Sequence, residues 1–173
     1  MDSQDRLFRF RLPFHLPSST IVRSGGVYIS GALFAIAFWF LIDAAIYSKT
    51  VNASVVHVTF IDWIPGICSA LGMLIVTSID KSRLFDDALG GGASSTTYQA
   101  RVILFLGFSL LAGGLAGSFV VLIMKFISKG YNEYPTLGMG VANVITNVSI
   151  MLSCISLWVS QSVEDEYSYS LAL

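Results

Sequence analysis

One continuous apolar stretch, residues 25–47, constrains the fold of this chain more than any other feature. Its sequence is GGVYISGALFAIAFWFLIDAAIY, and Asp43 is its only charged residue. Residues 26–46 would form about 31 Å of α-helix, long enough to cross the hydrocarbon core of a bilayer. A carboxylate inside such a helix costs roughly 2.5–3.5 kcal/mol on insertion scales, so we expect something to partner Asp43. The stretch therefore predicts a transmembrane helix that contains one acidic residue.

The supply of charged residues also indicates an integral membrane protein. Only 12% of the 173 residues are charged, about half of the roughly 25% that soluble domains carry. Hydrophobic residues make up 54% of the chain, and the mean hydropathy is +0.72. A net charge of −1 gives no overall attraction to nucleic acid, so no nucleic-acid partner is expected. The expected surroundings are the lipid bilayer.

Three further apolar blocks bring the number of predicted spans to four. Residues 63–79, 102–127 and 137–159 would form helices of about 25, 39 and 34 Å. Outside the spans lie a cytosolic or interfacial N-terminal segment 1–24, a loop 80–101, an acidic tail 160–173 and two short connections, 48–62 and 128–136. We therefore predict an all-α fold, a four-helix transmembrane bundle over residues 25–159, with no separate soluble domain.

Basic residues are distributed unevenly among the segments between the predicted spans. Seven of them fall on one side of the membrane, namely Arg6, Arg9, Arg11, Arg23, Lys81, Arg83 and Arg101. Three fall on the other side, namely Lys49, Lys125 and Lys129. Because cytosolic segments are enriched in Lys and Arg, we predict that both termini and the loop 80–101 are cytosolic. Asn52, in an Asn-Ala-Ser pattern on the opposite side, is then a glycosylation acceptor that lies too close to the first span to be used well.

The third span contains two rows of small residues with a four-residue repeat. Ser109, Gly113 and Gly117 form one row, and Gly114 and Ser118 form a parallel one. Small residues at this spacing let a neighbouring helix approach closely enough for dispersion contacts and interhelical hydrogen bonds. The neighbour is either another helix of the same bundle or a helix of another membrane protein. The sequence leaves both interpretations open.

Polar side chains in the first and fourth spans raise a similar question. Asn143 and Asn147 are four residues apart and share one helix face, where each amide needs a partner away from lipid. Bonds within the bundle, to Asp43 or Ser109, are one interpretation, and a solvated transport path or a subunit contact are the others. Asp43 is itself either a structural acid, a partner-binding acid or a proton relay.

Asp62 stands directly before the second predicted span. An acidic side chain there is favourable at the positive end of a helix, so we interpret Asp62 as the N-cap. No nucleophile and base occur at a recognisable motif spacing, and no His or Cys spacing indicates a metal site. We therefore expect no catalytic residues, no cofactor and no metal.

Five short strings of residues carry a resemblance to a known family. FWFLIDAAIY at residues 38–47 resembles the first-span signature of the transmembrane protein 50 family of small four-span proteins. The other four are similar to the fungal branch of that family: HVTFIDWIPG at 57–66, AGGL at 112–115, YPTLGMGV at 134–141 and EDEYSYSL at 164–171. The resemblance extends over about residues 23–173.

The resemblance implies a multi-pass protein of the late endosome and vacuole membrane that acts in endosome-to-vacuole protein transport. It also implies a complex with a second small four-span protein, related to the leptin receptor overlapping transcript product. We hypothesise a non-enzymatic subunit of such a complex, with partner contacts through the small-residue rows and a contribution from Asp43 or the asparagine face. The alternative hypothesis is a small transporter or channel in which Asp43, Asn143 and Asn147 line the path.

Overall fold

Four long helices make up the structure, a computed structural model that describes residues 19–50, 56–79, 95–131 and 133–171. The helices are α1 (Ser19–Thr50), α2 (Phe60–Ser78), α3 (Ser95–Val121) and α4 (Thr136–Leu171). A π-helical turn, Leu122–Ile127, continues α3. Asn52 and most of the predicted loop 80–101 lie outside the described residues.

Each helix contains a segment long and apolar enough to cross a membrane. The four segments are Ser24–Thr50, Phe60–Ser78, Tyr98–Ile127 and Thr136–Gln161. The side-chain distribution fits lipid surroundings, because large apolar side chains such as Trp39 and Phe105 are exposed, at 73% and 75%. Many buried positions are instead serine, threonine or asparagine, as expected where polar groups must find partners away from lipid. The predicted all-α architecture with four membrane-spanning helices is confirmed.

The helices extend beyond the apolar spans that the sequence predicted. α1 begins six residues before position 25, α3 begins at Ser95 within the stretch assigned to the loop, and α4 continues to Leu171 through the assigned tail. Hydropathy locates the apolar part of a helix, whereas the backbone stays helical until a helix-breaking residue ends it. Residues 142–171 contain no Gly or Pro, so no helix breaker separates the fourth span from the acidic residues that follow it.

The bundle is built from two helix pairs that meet along α4. α1 packs along α4, α2 packs along α3, and α4 also contacts α2 and α3. One apolar cluster joins all four helices through Ala37, Val76, Leu111, Ile150 and Cys154. A second cluster, built around Phe126 and Met139, lies at the end where α1 finishes and α2 and α4 begin. This end is called the Lys125 end below.

Close backbone contact holds α2 against α3. A Cβ atom at Gly72 would lie 2.8 Å from the Gly107 carbonyl oxygen and 2.8 Å from the Leu111 nitrogen. A Cβ atom at Gly107 would lie 2.7 Å from a methyl group of Val76. Glycine at positions 72 and 107 is therefore what lets the two helices approach each other this closely.

Hydroxyl groups hold α1 against α4. The Ser30 hydroxyl donates to the Ser153 carbonyl oxygen at 2.9 Å, and the Ser153 hydroxyl donates to the Ser30 carbonyl oxygen at 2.8 Å. Nearer the middle of the bundle, the Thr146 hydroxyl donates to the Ala37 carbonyl oxygen at 2.9 Å. These side chains are almost completely buried, so their polar atoms are satisfied by the neighbouring helix and not by water.

Candidate functional site

The two rows of small residues on α3 point in different directions. Gly114 and Ser118 are both buried, and a Cβ atom at Gly114 would lie 2.6 Å from the Pro65 carbonyl oxygen of α2. Gly117 is at the border of this contact, because its Cβ atom would lie 3.5 Å from the Pro65 ring. The Gly114–Ser118 row therefore packs within the bundle.

Ser109 and Gly113 lie on the outside of α3. Both are exposed, and a Cβ atom at Gly113 would meet nothing within 4 Å. The Ser109 hydroxyl donates to the Phe105 carbonyl oxygen of its own helix at 2.8 Å, and it forms no bond to another helix within the described ranges. These two residues remain available to a partner.

The asparagines of α4 bond to α2 and to each other. Asn143 and Asn147 are 2% and 1% exposed. The Ser69 hydroxyl donates to Asn147 Oδ1 at 2.6 Å, and Asn147 Nδ2 donates to the Asn143 carbonyl oxygen at 2.9 Å. The asparagines therefore bond within the bundle, but their partner on another helix is Ser69 and neither Asp43 nor Ser109, because the α2–α4 packing places Ser69 opposite them. No hydropathy or motif signal distinguished Ser69 from the other serines in the sequence.

An ion pair connects the ends of α2 and α3 at the Lys125 end. Lys125 Nζ bonds to Asp62 Oδ2, and it also donates to the His57 carbonyl oxygen at 2.8 Å. The π-helical turn carries Lys125, whose side chain is 21% exposed, whereas that of Asp62 is 7% exposed. This pair was not predicted from the sequence. The signal that could have found it is that Lys125 and Asp62 carry opposite charges and border predicted spans on the same side of the membrane.

Asp62 is not the N-cap of α2, so that prediction is wrong. The N-cap is Thr59, and Asp62 is the third residue of the helix. Asp62 Oδ2 accepts the Thr59 backbone N–H at 2.7 Å and the Thr59 hydroxyl at 3.2 Å. The carboxylate thus stabilises the start of the helix from the N3 position, as the acidic member of a capping box does. The apolar span predicted from hydropathy began at Trp63, after the acid. The helix already begins at Phe60, directly after Thr59.

Two buried polar atoms near this ion pair have no hydrogen-bond partner among the described residues. They are Asp62 Oδ1 and Asn143 Nδ2. Both residues line one cavity of about 10 Å³, which is otherwise enclosed by apolar side chains and by Gly140. Buried polar groups are nearly always hydrogen-bonded, so two unpaired polar atoms on residues that line the same cavity require an explanation.

Asp43 lies in an outward-facing groove between α1 and α4. The side chain is exposed and forms no hydrogen bond or ion pair with the described residues. The groove has a volume of about 390 Å³, and Phe40, Tyr47 and Tyr134 also line it. Neither asparagine of α4 lines this groove. The transporter hypothesis required Asp43, Asn143 and Asn147 to line one path, and the structure does not bring these three residues together.

No arrangement for catalysis or metal binding is found in the described part of the chain. No group of three or more His, Cys, Asp or Glu side chains there could hold a metal ion. Most of the buried polar side chains bond to neighbouring helices or to their own backbone. The buried polar side chains hold the helices together, whereas the carboxyl group of Asp43 can attract a cation to its groove.

Comparison with known proteins identifies full-length relatives. Residues 3–167 match the family model described as "Uncharacterised protein family (UPF0220)". The chain is 59% identical to vacuolar protein sorting-associated protein 68 of Saccharomyces cerevisiae over all of both chains. It is 50% identical to a UPF0220 protein of Schizosaccharomyces pombe over 96% of each chain.

A more distant relative connects the chain to proteins outside fungi. Over 80% of this chain and 90% of the relative, it is 28% identical to the transmembrane protein 50 homolog of Dictyostelium discoideum. No solved structure matches the chain. The resemblance inferred from the five sequence strings is confirmed.

Proposed function

The chain belongs to the UPF0220 family, in the fungal branch of the transmembrane protein 50 proteins, and from this we propose that it is a non-enzymatic subunit of an endosomal membrane complex. Its role is in protein transport from the late endosome to the vacuole. Its partner is a second small four-span protein, related to the leptin receptor overlapping transcript product.

The full-length similarity to vacuolar protein sorting-associated protein 68 carries this proposal. The identity of 59% extends over the whole length of both chains. The name of that relative describes a role in sorting proteins to the vacuole.

The outer face of α3 is the proposed contact with the partner. Gly114 and Ser118 are used within the bundle, and the asparagines of α4 are buried. The proposed contact is therefore restricted to Ser109 and Gly113. A glycine on an exposed helix face lets another helix approach closely, which is how transmembrane helices associate without a hydrophobic driving force.

The experiment compares Gly113→Leu with Gly31→Leu in the tagged full-length protein. Both glycines are exposed, and a Cβ atom at either would meet nothing within 4 Å. Each variant is purified from its native membrane in mild detergent, and the proteins that remain bound are quantified by mass spectrometry. We expect Gly113→Leu to reduce the bound four-span partner about fivefold or more, since a bulky side chain at a close helix contact costs at least about 1 kcal/mol.

The control variant, Gly31→Leu, should retain the partner. Equal retention by both variants would show that the outer face of α3 is not the contact. Purification of the unmodified chain as a homo-oligomer without any second four-span protein would contradict the proposed complex itself.

A further inference from the structure

The groove that contains Asp43 combines a carboxyl group with aromatic side chains. Phe40, Asp43 and Tyr47 are spaced three and four residues apart, so they share one face of α1. Tyr134 lines the groove from the other side, two residues before α4 begins. One acidic and three aromatic side chains therefore line a single volume of about 390 Å³, which is within the size range of small-molecule sites.

The groove lies near the charged end of the bundle. Ala44 and Met139 line both the groove and the small cavity that contains Asp62. Asp62 is paired with Lys125, and such charged groups are expected where water and lipid headgroups are within reach. Asp43 precedes Ala44 in the chain, so it lies at a similar depth. A lipid headgroup can therefore reach it.

We propose that this groove binds the choline headgroup of phosphatidylcholine. Aromatic side chains attract a quaternary ammonium group through cation–π interactions, and the Asp43 carboxylate supplies the opposite charge. The pairing also explains how an acidic side chain is tolerated on the outside of a membrane helix, where an unpaired charge is costly. Val141 and Ile145, both partly exposed, continue the groove along α4, where they can contact an acyl chain.

A headgroup fits this groove better than a helix of another protein. Transmembrane helices dock closely where small residues leave room for the approaching backbone. The α1 wall of the groove instead carries Phe40 and Tyr47, which are bulky. On the α4 side, a Cβ atom at Gly138 would lie 3.4 Å from the Tyr134 ring. The glycine thus gives space to a ring of this chain and not to a second helix.

The test measures lipid binding to the purified full-length protein by native mass spectrometry. Phosphatidylcholine, phosphatidylethanolamine and phosphatidylglycerol with identical acyl chains are titrated separately. We expect the tightest binding for phosphatidylcholine and about tenfold weaker binding for the Asp43→Asn variant, since the carboxylate charge is lost while the shape is kept. Tyr134→Leu should also weaken phosphatidylcholine binding. Asp43 has no partner within the described bundle, so Asp43→Asn should leave the melting temperature unchanged.

Two control variants lie outside the groove. Glu133→Gln removes an exposed acidic residue next to Tyr134, and Phe119→Leu removes an exposed aromatic residue of α3. Both should bind phosphatidylcholine as the unmodified protein does. Equal binding of phosphatidylglycerol, tighter binding of phosphatidylethanolamine, or full binding by Asp43→Asn would overturn the proposal. Loss of the protein partner from Asp43→Asn with lipid binding intact would assign the groove to a protein instead.

The small cavity at the Lys125 end supports a second, independent inference. Asp62 and Asn143 both line it, and each has a buried polar atom without a partner among the described residues: the acceptor Asp62 Oδ1 and the donor Asn143 Nδ2. A volume of about 10 Å³ is close to the smallest that can hold one water molecule. An acceptor and a donor on one such cavity are the two partners that a single water molecule needs.

We infer that one structural water molecule occupies this cavity, donating to Asp62 Oδ1 and accepting from Asn143 Nδ2. It completes a hydrogen-bonded chain from Lys125 through Asp62, Asn143 and Asn147 to Ser69. The chain connects α2, α3 and α4 and extends from the charged end of the bundle toward its middle. A buried water of this kind is as much a part of the fold as a side chain.

The test is a cryo-electron microscopy structure of the full-length protein with a bound antibody fragment, at a resolution that shows ordered water. We expect one density within about 3.2 Å of both atoms. It should disappear in Asn143→Leu and persist in Thr146→Val, which changes a buried polar residue that does not line the cavity. A direct bond between Asp62 and Asn143, or no density between them, would overturn the inference.

Discussion

Gly113 and Gly114 are adjacent residues of the same helix, yet they have opposite surroundings. A Cβ atom at Gly114 would collide with Ser69 and would lie 2.6 Å from the Pro65 carbonyl oxygen. A Cβ atom at Gly113 would meet nothing within 4 Å. One step along an α-helix turns the side-chain direction by about 100°, and this rotation separates the bundle contact from the outer surface.

The spacing of small residues in a transmembrane helix therefore does not identify the helix that packs against them. Both rows of α3 satisfy the same spacing rule for close helix packing. Only the direction in which each row points decides whether it holds the bundle together or remains available to another protein. The following variants test that division by changing matched residues on the two sides.

The largest effect is expected for Gly114→Ala. The added methyl group would overlap the backbone of α2, so the helices must separate, which should lower the free energy of unfolding by about 3 kcal/mol. Gly113→Ala is the matched control and should leave stability unchanged or raise it by up to about 1 kcal/mol, because Ala is the better helix former. Unfolding in SDS followed by circular dichroism measures both. Equal stability of the two variants would contradict the difference between the faces.

A smaller effect is expected for Lys125→Met. The substitution keeps most of the aliphatic side chain but leaves the buried Asp62 carboxylate without its cation, which should cost about 2–3 kcal/mol. Lys129→Met removes an exposed lysine four residues further along the chain and should change stability by less than about 0.5 kcal/mol. The same unfolding measurement applies. Similar losses in both variants would mean that net charge, and not the Asp62 pair, matters at this end.

The smallest effect is expected for Ser69→Ala. Its hydroxyl donates to buried Asn147 Oδ1, and interhelical hydrogen bonds in membranes contribute about 1 kcal/mol. Ser109→Ala removes an exposed hydroxyl that bonds only its own helix, so it should have almost no effect on the free energy of unfolding. A double-mutant cycle with Asn147→Leu should give a coupling energy of about 1 kcal/mol. Strictly additive losses would indicate that the two side chains do not bond.

The sequence was sufficient to predict four membrane-spanning helices. Hydropathy is a local property, and a run of about 20 apolar residues has one stable arrangement in a bilayer, because a helix satisfies every backbone polar group internally. The family was also readable from short strings such as FWFLIDAAIY, which the full-length relatives confirm. The helix ends were less predictable, as α4 continues to Leu171 well past its apolar part.

The partners of the polar side chains were decided only by the tertiary structure. Asn147 bonds Ser69, 78 residues away in the chain. Asp62 pairs with Lys125 and caps its helix from the N3 position, not as the N-cap. Sequence spacing shows which residues share a face of one helix, but it contains no information about the rotation of that helix against its neighbours. That rotation is fixed for α2 against α3 by the close contacts at Gly72, Gly107 and Gly114, and for α1 against α4 by the hydroxyl bonds between Ser30 and Ser153. It buries the asparagines in the bundle and leaves Asp43 on the outside.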